Sequence, residues 1–109
     1  MLDPVSDEAT PRPLLSLLMP VFNERRTLRT IVRRVFDSPL PVPFELIAVD
    51  DGSTDGSGDV LRELAATEPR IKVLRHDRNR GKGAAVRTAL PHMRGEITVI
   101  QDADLEYDP

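Results

Sequence analysis

From Leu14 onward the chain alternates between two hydrophobic rhythms. Leu14-Leu15-Ser16-Leu17-Leu18-Met19 is a nearly unbroken apolar run of strand length, ended by Pro20. A run apolar on both faces suits a strand covered on both sides, as in a parallel sheet. Leu28, Ile31, Val32, Val35 and Phe36 then fall at helical spacing, with Arg25, Arg26, Arg29, Arg33 and Arg34 mostly off that stripe. Pro39, Pro41 and Pro43 forbid regular helix and predict a stiff connector. Phe44 to Val49 reads as a second strand, stopped by Asp50-Asp51-Gly52-Ser53. Val60, Leu61, Leu64 and Ala65 mark a second helix, with Asp55 or Ser57 as its N-cap. Ile71 to Leu74 is a short third strand. Ala84, Ala85, Val86, Ala89, Leu90 and Met93 line a third helix that Gly95 would stop, and Ile97 to Ile100 is a fourth strand.

Strand and helix alternating in this way predict an α/β fold: a parallel, Rossmann-like sheet with flanking helices and right-handed crossovers. Ligands of such sheets sit beyond the carboxyl ends of the strands, where strand order reverses. The polar clusters all follow strands: Asn23-Glu24, Asp50-Asp51 and Asp102-Ala103-Asp104. A strand order of 3-2-1-4 would make the first and fourth strands neighbours and bring their clusters together.

Composition narrows the chemistry. A net charge of −3 over 109 residues lacks the basic excess of a general nucleic-acid binder. The absence of cysteine removes disulfides, thiolate metal sites and cysteine nucleophiles, and fits a reducing, cytoplasmic setting. Residues 1–13 mix acids and prolines without an apolar run and read as a disordered leader, not a signal peptide. No segment is long and apolar enough to span a bilayer.

Asp102-Ala103-Asp104 follows an apolar strand directly. Two carboxylates one residue apart on a turn can aim at one hard cation, with Glu106 near enough to add an oxygen; a solvated acidic turn is the plain alternative. At Asp50-Asp51-Gly52-Ser53-Thr54-Asp55, a strand-end carboxylate can accept from a base or a ribose hydroxyl, while Asp55 would cap a helix. Asn79-Arg80-Gly81-Lys82-Gly83 combines glycines, a helix N-terminus and a cation, which suits a phosphate but also a simple turn. It is not a Walker loop, since His76 and Gly83 occupy two of its defining positions. It partly mimics a dinucleotide fingerprint, with Val86 where a third small residue belongs. The five arginines of the first helix read as a solvated face, and His76 and His92 as surface residues.

Taken in order, these clusters resemble family 2 of the glycosyltransferases, and within it the dolichol- and polyprenyl-phosphate sugar transferases. The resemblance rests on Pro20-Val21-Phe22-Asn23-Glu24, Val49 to Asp55, Asn79 to Ala85 and Gln101 to Glu106. It implies an A-type glycosyltransferase fold, with 14–109 as its nucleotide-sugar-binding part and the chain an N-terminal fragment. Pro20, Phe22, Glu24, Asp50, Asp51, Lys82, Asp102 and Ala103 would contact the nucleotide. Asp102, Asp104 and Glu106 would hold a divalent cation, Mg²⁺ or Mn²⁺. Phe22 replaces a frequent tyrosine, which removes a hydroxyl and keeps a ring for stacking. Ala89 stands where a glycine is common.

The implied reaction moves sugar from a nucleoside-diphosphate donor to an acceptor with inversion, the acceptor being a lipid phosphate in the nearest subgroup. No residue up to Pro109 reads as a catalytic base, and membrane contact would come through parts beyond it. A sheet ending at the fourth strand would leave Ile97, Val99 and Ile100 uncovered. Two other readings remain open from the residues: a non-catalytic nucleotide-binding module, and a nucleotide-cofactor oxidoreductase using the glycine loop.

Overall fold

The apolar run that opens the chain becomes the inside of a four-stranded sheet. The computed structural model describes residues 13–38 and 41–103. Its strands are β1 (Leu15–Val21), β2 (Phe44–Asp51), β3 (Ile71–His76) and β4 (Ile97–Ile100); its helices are α1 (Arg25–Asp37), α2 (Ser57–Thr67) and α3 (Lys82–Ala89). The order is β3-β2-β1-β4, every pair parallel, as the alternation predicts.

Two cores explain why β1 is apolar at almost every position. Leu17, Met19 and Val21 pack with Leu46 and Ala48 under α1 and α2, meeting Leu28, Ile31, Val32 and Leu61. Leu18, between them in sequence, faces the other way with Ile47 and Val49 and meets Ala85 and Ala89 of α3. The arginines of α1 lie on the solvent side of that helix, as expected. No described helix is long and apolar enough to cross a membrane.

Several boundaries differ from the expectation. Pro20 does not end β1 but lies within it, paired with Val49. Pairing with β4 stops at Leu18↔Ile100, and the Leu18 carbonyl takes the N–H of Gln101. Two residues on, Pro20 turns its ring nitrogen to the same side, past the last rung, where a missing N–H costs no ladder bond. β2 and β3 each run two residues further than predicted, which carries Asp51 and His76 into the sheet. The third helix is shorter: α3 stops at Ala89, and Leu90–His92 tightens into a 3-10 turn around Pro91. The N-cap of α2 is Gly56, although Asp55 still accepts from the Ser57 N–H at 3.0 Å. Of the expected disordered leader, only Pro13 lies among the described residues, and it is buried.

Gly95 has a different role from the predicted helix stop. Its N–H donates to Ser16 Oγ at 2.8 Å, and Ser16 Oγ donates to Glu45 Oε2 at 2.7 Å. The Arg94 N–H reaches the same carboxylate oxygen at 2.7 Å. This network ties the entry of β4 to β1 and β2 at the amino ends of the strands. β4 itself is an edge strand with Ile97, Val99 and Ile100 exposed.

A Cβ on Gly95 would lie 2.8 Å from the Leu15 carbonyl carbon and from the Ser16 nitrogen, both backbone atoms that cannot step aside. We therefore expect Gly95→Ala to destabilise the fold by about 1–3 kcal/mol through overpacking. Gly83→Ala, whose new Cβ meets only the far end of Arg87 at 3.4 Å, should be neutral or stabilising by up to about 1 kcal/mol. Urea denaturation of the two variants checks the contrast, and equal effects would refute it.

Candidate functional site

Four loops meet at the carboxyl end of the sheet. The loop after β1 and the loop after β2 are stitched together through Asn23. Its side-chain oxygen accepts from the Thr54 N–H at 2.8 Å, and its own N–H donates to Ser53 Oγ at 3.0 Å. Asn23 holds a φ of 53°, a left-handed conformation that asparagine tolerates better than most residues. The Glu24 N–H donates to Ser57 Oγ, and the Arg25 N–H to Asp55 Oδ2 at 3.1 Å. The second loop thus supplies acceptors for N–H groups at the start of α1.

Asp50 and Asp51 are adjacent in sequence but serve opposite faces of the sheet. Asp50 is 2% exposed; its Oδ1 accepts from the Ser53 N–H at 2.9 Å. Its Oδ2 lies 2.4 Å from where a Cβ on Gly58 would stand, so only glycine there leaves room for the carboxylate. Asp51 points to the α3 side. Its Oδ1 accepts from the Arg80 N–H at 2.8 Å and its Oδ2 from the Gly81 N–H at 2.9 Å. The Nδ1 of His76 lies 2.7 Å from the same Oδ1.

This alters the reading of the glycine loop. Two of the backbone donors expected to meet a phosphate are turned inward onto Asp51. What the loop offers outward is the side chain of Lys82, whose Nζ donates to Asp102 Oδ1 at 2.9 Å, with both groups exposed. Gly52 fixes the same loop by contact: with a φ of 77°, its virtual Cβ would stand 2.3 Å from the Arg78 carbonyl carbon. Any side chain at Gly52 would push the loop off the strand end.

On the far side, the turn after β4 is held to α1. Ala103 is buried, and its carbonyl accepts from Thr27 Oγ1 at 3.1 Å. The sequence-predicted Asn23-Glu24, Asp50-Asp51, Lys82 and Asp102-Ala103 therefore converge, with Phe22 exposed just beyond the end of β1. Asp104 and Glu106 lie outside the described residues. Among the described residues no group of three metal-ligating side chains forms.

Two features escaped the sequence. His76, read as a surface residue, is 7% exposed and wedged between Asp51 and Thr88, whose Oγ1 is 2.8 Å from Nε2. The register pairs Asp51 with His76 directly, so aligning the ends of the second and third strands would have suggested the contact. Ser53 and Ser57 join loops some thirty residues apart in sequence, and no local pattern announces that.

Burial pushes the Asp51 carboxyl upward. The hydrogen bond from His76, those from the Arg80 and Gly81 amides, and the charge of His76 more than offset it, leaving the group below its ordinary 3.8. A lowered carboxyl contributes stability that is complete above its unfolded value and is lost as pH falls through the folded one. We expect acid to weaken the fold from about pH 4 downward, with part of that loss missing in Asp51→Asn. At neutral pH the same variant should be less stable by about 2–3 kcal/mol, because its amide turns a donor toward backbone donors. Urea melts between pH 3 and 7 test both statements; parallel pH profiles for the two proteins would overturn them.

The chain as a whole is similar to known proteins. The undecaprenyl-phosphate 4-deoxy-4-formamido-L-arabinose transferase of Edwardsiella ictaluri is 33% identical over 99 residues, which is 87% of this chain and 30% of that protein. The dolichol-phosphate mannosyltransferase of Pyrococcus furiosus is 30% identical over 95 residues, covering 87% of this chain and 27% of the relative. The chain thus spans under a third of the length of these curated relatives. Among solved structures, the mannosyltransferase PcManGT from Pyrobaculum calidifontis, in complex with GDP-Man and Mn²⁺, superposes with a TM-score of 0.75 at 35% identity, over 87% of this chain and 28% of that one. TarS of S. aureus in complex with UDP gives 0.72 at 27%, over 83% and 27%. Both carry the parallel sheet with flanking helices found here. The family model for Glycosyl transferase family 2 matches residues 16–109, and the chain belongs to that family.

Proposed function

We propose that the carboxyl end of this sheet holds a nucleoside-diphosphate sugar and that the protein transfers the sugar, with inversion, to a polyprenyl phosphate. The observation that carries this reading is the pairing of Lys82 with Asp102. It brings the glycine loop and the turn after β4 together at the place where the interlocked β1 and β2 loops also end. The donors bound by PcManGT and TarS, and the lipid phosphates named for the curated relatives, support the choice of substrates.

In this reading residues 14–109 form the donor-binding part. Pro20, Phe22, Glu24 and Asp50 surround the nucleoside, with Phe22 offering a ring face and Asp50 a carboxylate fixed by the Ser53 N–H. Asp51 acts from behind, through the loop it clamps. Lys82 and Ala103 flank the diphosphate. The donor set of Asp102, Asp104 and Glu106 is anionic oxygen throughout, which fits Mg²⁺ or Mn²⁺. Held by these carboxylates, such a cation would neutralise charge on the departing diphosphate. Lys82 balances Asp102 meanwhile, in an exposed pair worth only about 0–1 kcal/mol and therefore easily exchanged for a phosphate contact.

The acceptor phosphate oxygen bonds to the anomeric carbon as the bond from that carbon to the diphosphate breaks, and the electron pair leaves with the diphosphate. A phosphate acceptor is already nucleophilic and needs little help from a base.

Calorimetric titration with GDP and with UDP, each with and without Mn²⁺, tests the site. Wild type should bind at least one nucleotide more tightly with the cation. Asp102→Asn or Asp104→Asn should abolish that gain, and Asp50→Ala should weaken binding by about 1–3 kcal/mol while leaving pyrophosphate affinity unchanged. A cation effect that survives both asparagine variants would remove the carboxylates from the site, and an equal loss for pyrophosphate would remove Asp50 from the nucleoside.

A further inference from the structure

We propose that His76 is a positioning residue for donor binding. Held between Asp51 and Thr88, it keeps the Asp51 carboxylate on the Arg80 and Gly81 amides and so holds Lys82 beside Asp102. The proposal rests on the donor-site reading above for its effect on nucleotide, but its effect on the loop is independent of that reading.

An ionised carboxylate only accepts, so the ring nitrogen 2.7 Å from Asp51 Oδ1 must carry a proton. His76 is thereby fixed with a proton on Nδ1. The other nitrogen, Nε2, lies 2.8 Å from the Thr88 hydroxyl, which can donate to it or accept from it. Both ring nitrogens are used, the ring is 7% exposed, and its orientation is set from two elements at once, β2 through Asp51 and α3 through Thr88.

The consequence runs outward through Asp51. Its Oδ1 accepts from His76 and from the Arg80 N–H, while its Oδ2 accepts from the Gly81 N–H. Without His76, Oδ1 of a buried carboxylate loses one of its two donors, and the group can turn to recover one at the expense of the loop amides. Gly81 immediately precedes Lys82, the first residue of α3 and the partner of Asp102. A small rotation at Asp51 therefore moves Lys82, the loop cation that meets Asp102. Neither His76 nor Thr88 reaches that site: the effect is transmitted through the backbone.

Two substitutions separate the two ring nitrogens. In His76→Asn the amide nitrogen takes the place of Nδ1 and still donates to Asp51. In His76→Gln the longer side chain reaches toward Thr88 and abandons Asp51. We expect amide exchange at Arg80 and Gly81 to quicken about tenfold in His76→Gln and to stay near wild type in His76→Asn, with the β1 and β2 amides unchanged in both. Binding of Mn²⁺ with GDP or UDP should weaken about tenfold in His76→Gln and less than threefold in His76→Asn. Equal exchange at the two loop amides in all three proteins would overturn the link to the loop. Equal nucleotide affinity would overturn the link to the donor. A wild type that binds neither nucleotide would sink the donor reading, and the exchange data would still decide the loop. Long-range ¹⁵N–¹H correlations on the wild type need no variant to fold. They should show His76 carrying a proton on Nδ1, with exposed His92 as an internal contrast. A proton on Nε2 alone would refute the proposal.

Discussion

A single buried carboxylate, Asp51, decides where the glycine loop lies. It stands at the end of β2 and accepts from two successive loop amides and from a histidine on the neighbouring strand. Charged acceptors hold such bonds more strongly than neutral ones, and in a buried setting each unmet donor would be costly. The loop, the start of α3 and the direction of Lys82 follow from that arrangement. Gly52, one residue along, makes the same demand by contact, because nothing larger fits beneath Arg78 and Asn79.

The two ends of the sheet are organised by different means. At the amino ends Ser16, Glu45 and Gly95 form a polar network, buried at Ser16 and half-buried at Glu45, that fixes how β4 enters. At the carboxyl ends the polar groups bind loops to one another while leaving Lys82, Asp102 and Phe22 exposed. Both ends bury polar groups, Ser16 at the first and Asp50, Asp51, Ser57 and His76 at the second; at the second end they hold loops from which Lys82 and Asp102 reach solvent.

Much of this was legible in the residues because the signals were periodic or local. The unbroken apolar run of β1 required cover on both faces, and it has two cores; the alternation of elements implied a parallel sheet, and its four strands pair in parallel in the order β3-β2-β1-β4. Clusters following strands implied a common site, and Lys82 does reach Asp102. What stayed hidden depended on register and on partners distant in sequence. Pro20 looked like a strand end because a missing N–H usually is one; only the shortness of β4 makes it harmless within β1. Gly95 looked like a helix stop, whereas its small size serves Leu15 and Ser16, far earlier in the chain. His76 looked like a surface residue because histidine has no periodic signature, and its burial comes from Asp51 and Thr88 on other elements.

The placing of β4 also has a kinetic meaning. β1 and β4 are the first and last strands of the described chain, yet they are hydrogen-bonded neighbours, with Leu15 beside Ile97 and Leu18 beside Ile100. Contacts between segments so far apart close a large loop before any pairing energy returns, which slows their formation. During synthesis the β1–β2–β3 unit can collapse while the residues of β4 are still unmade. Asp102 and Ala103 lie just past β4, so their contacts with Lys82 and Thr27 wait on that pairing. A turn bound to both α1 and the glycine loop thus reports that the longest-range pairing among the described strands has formed.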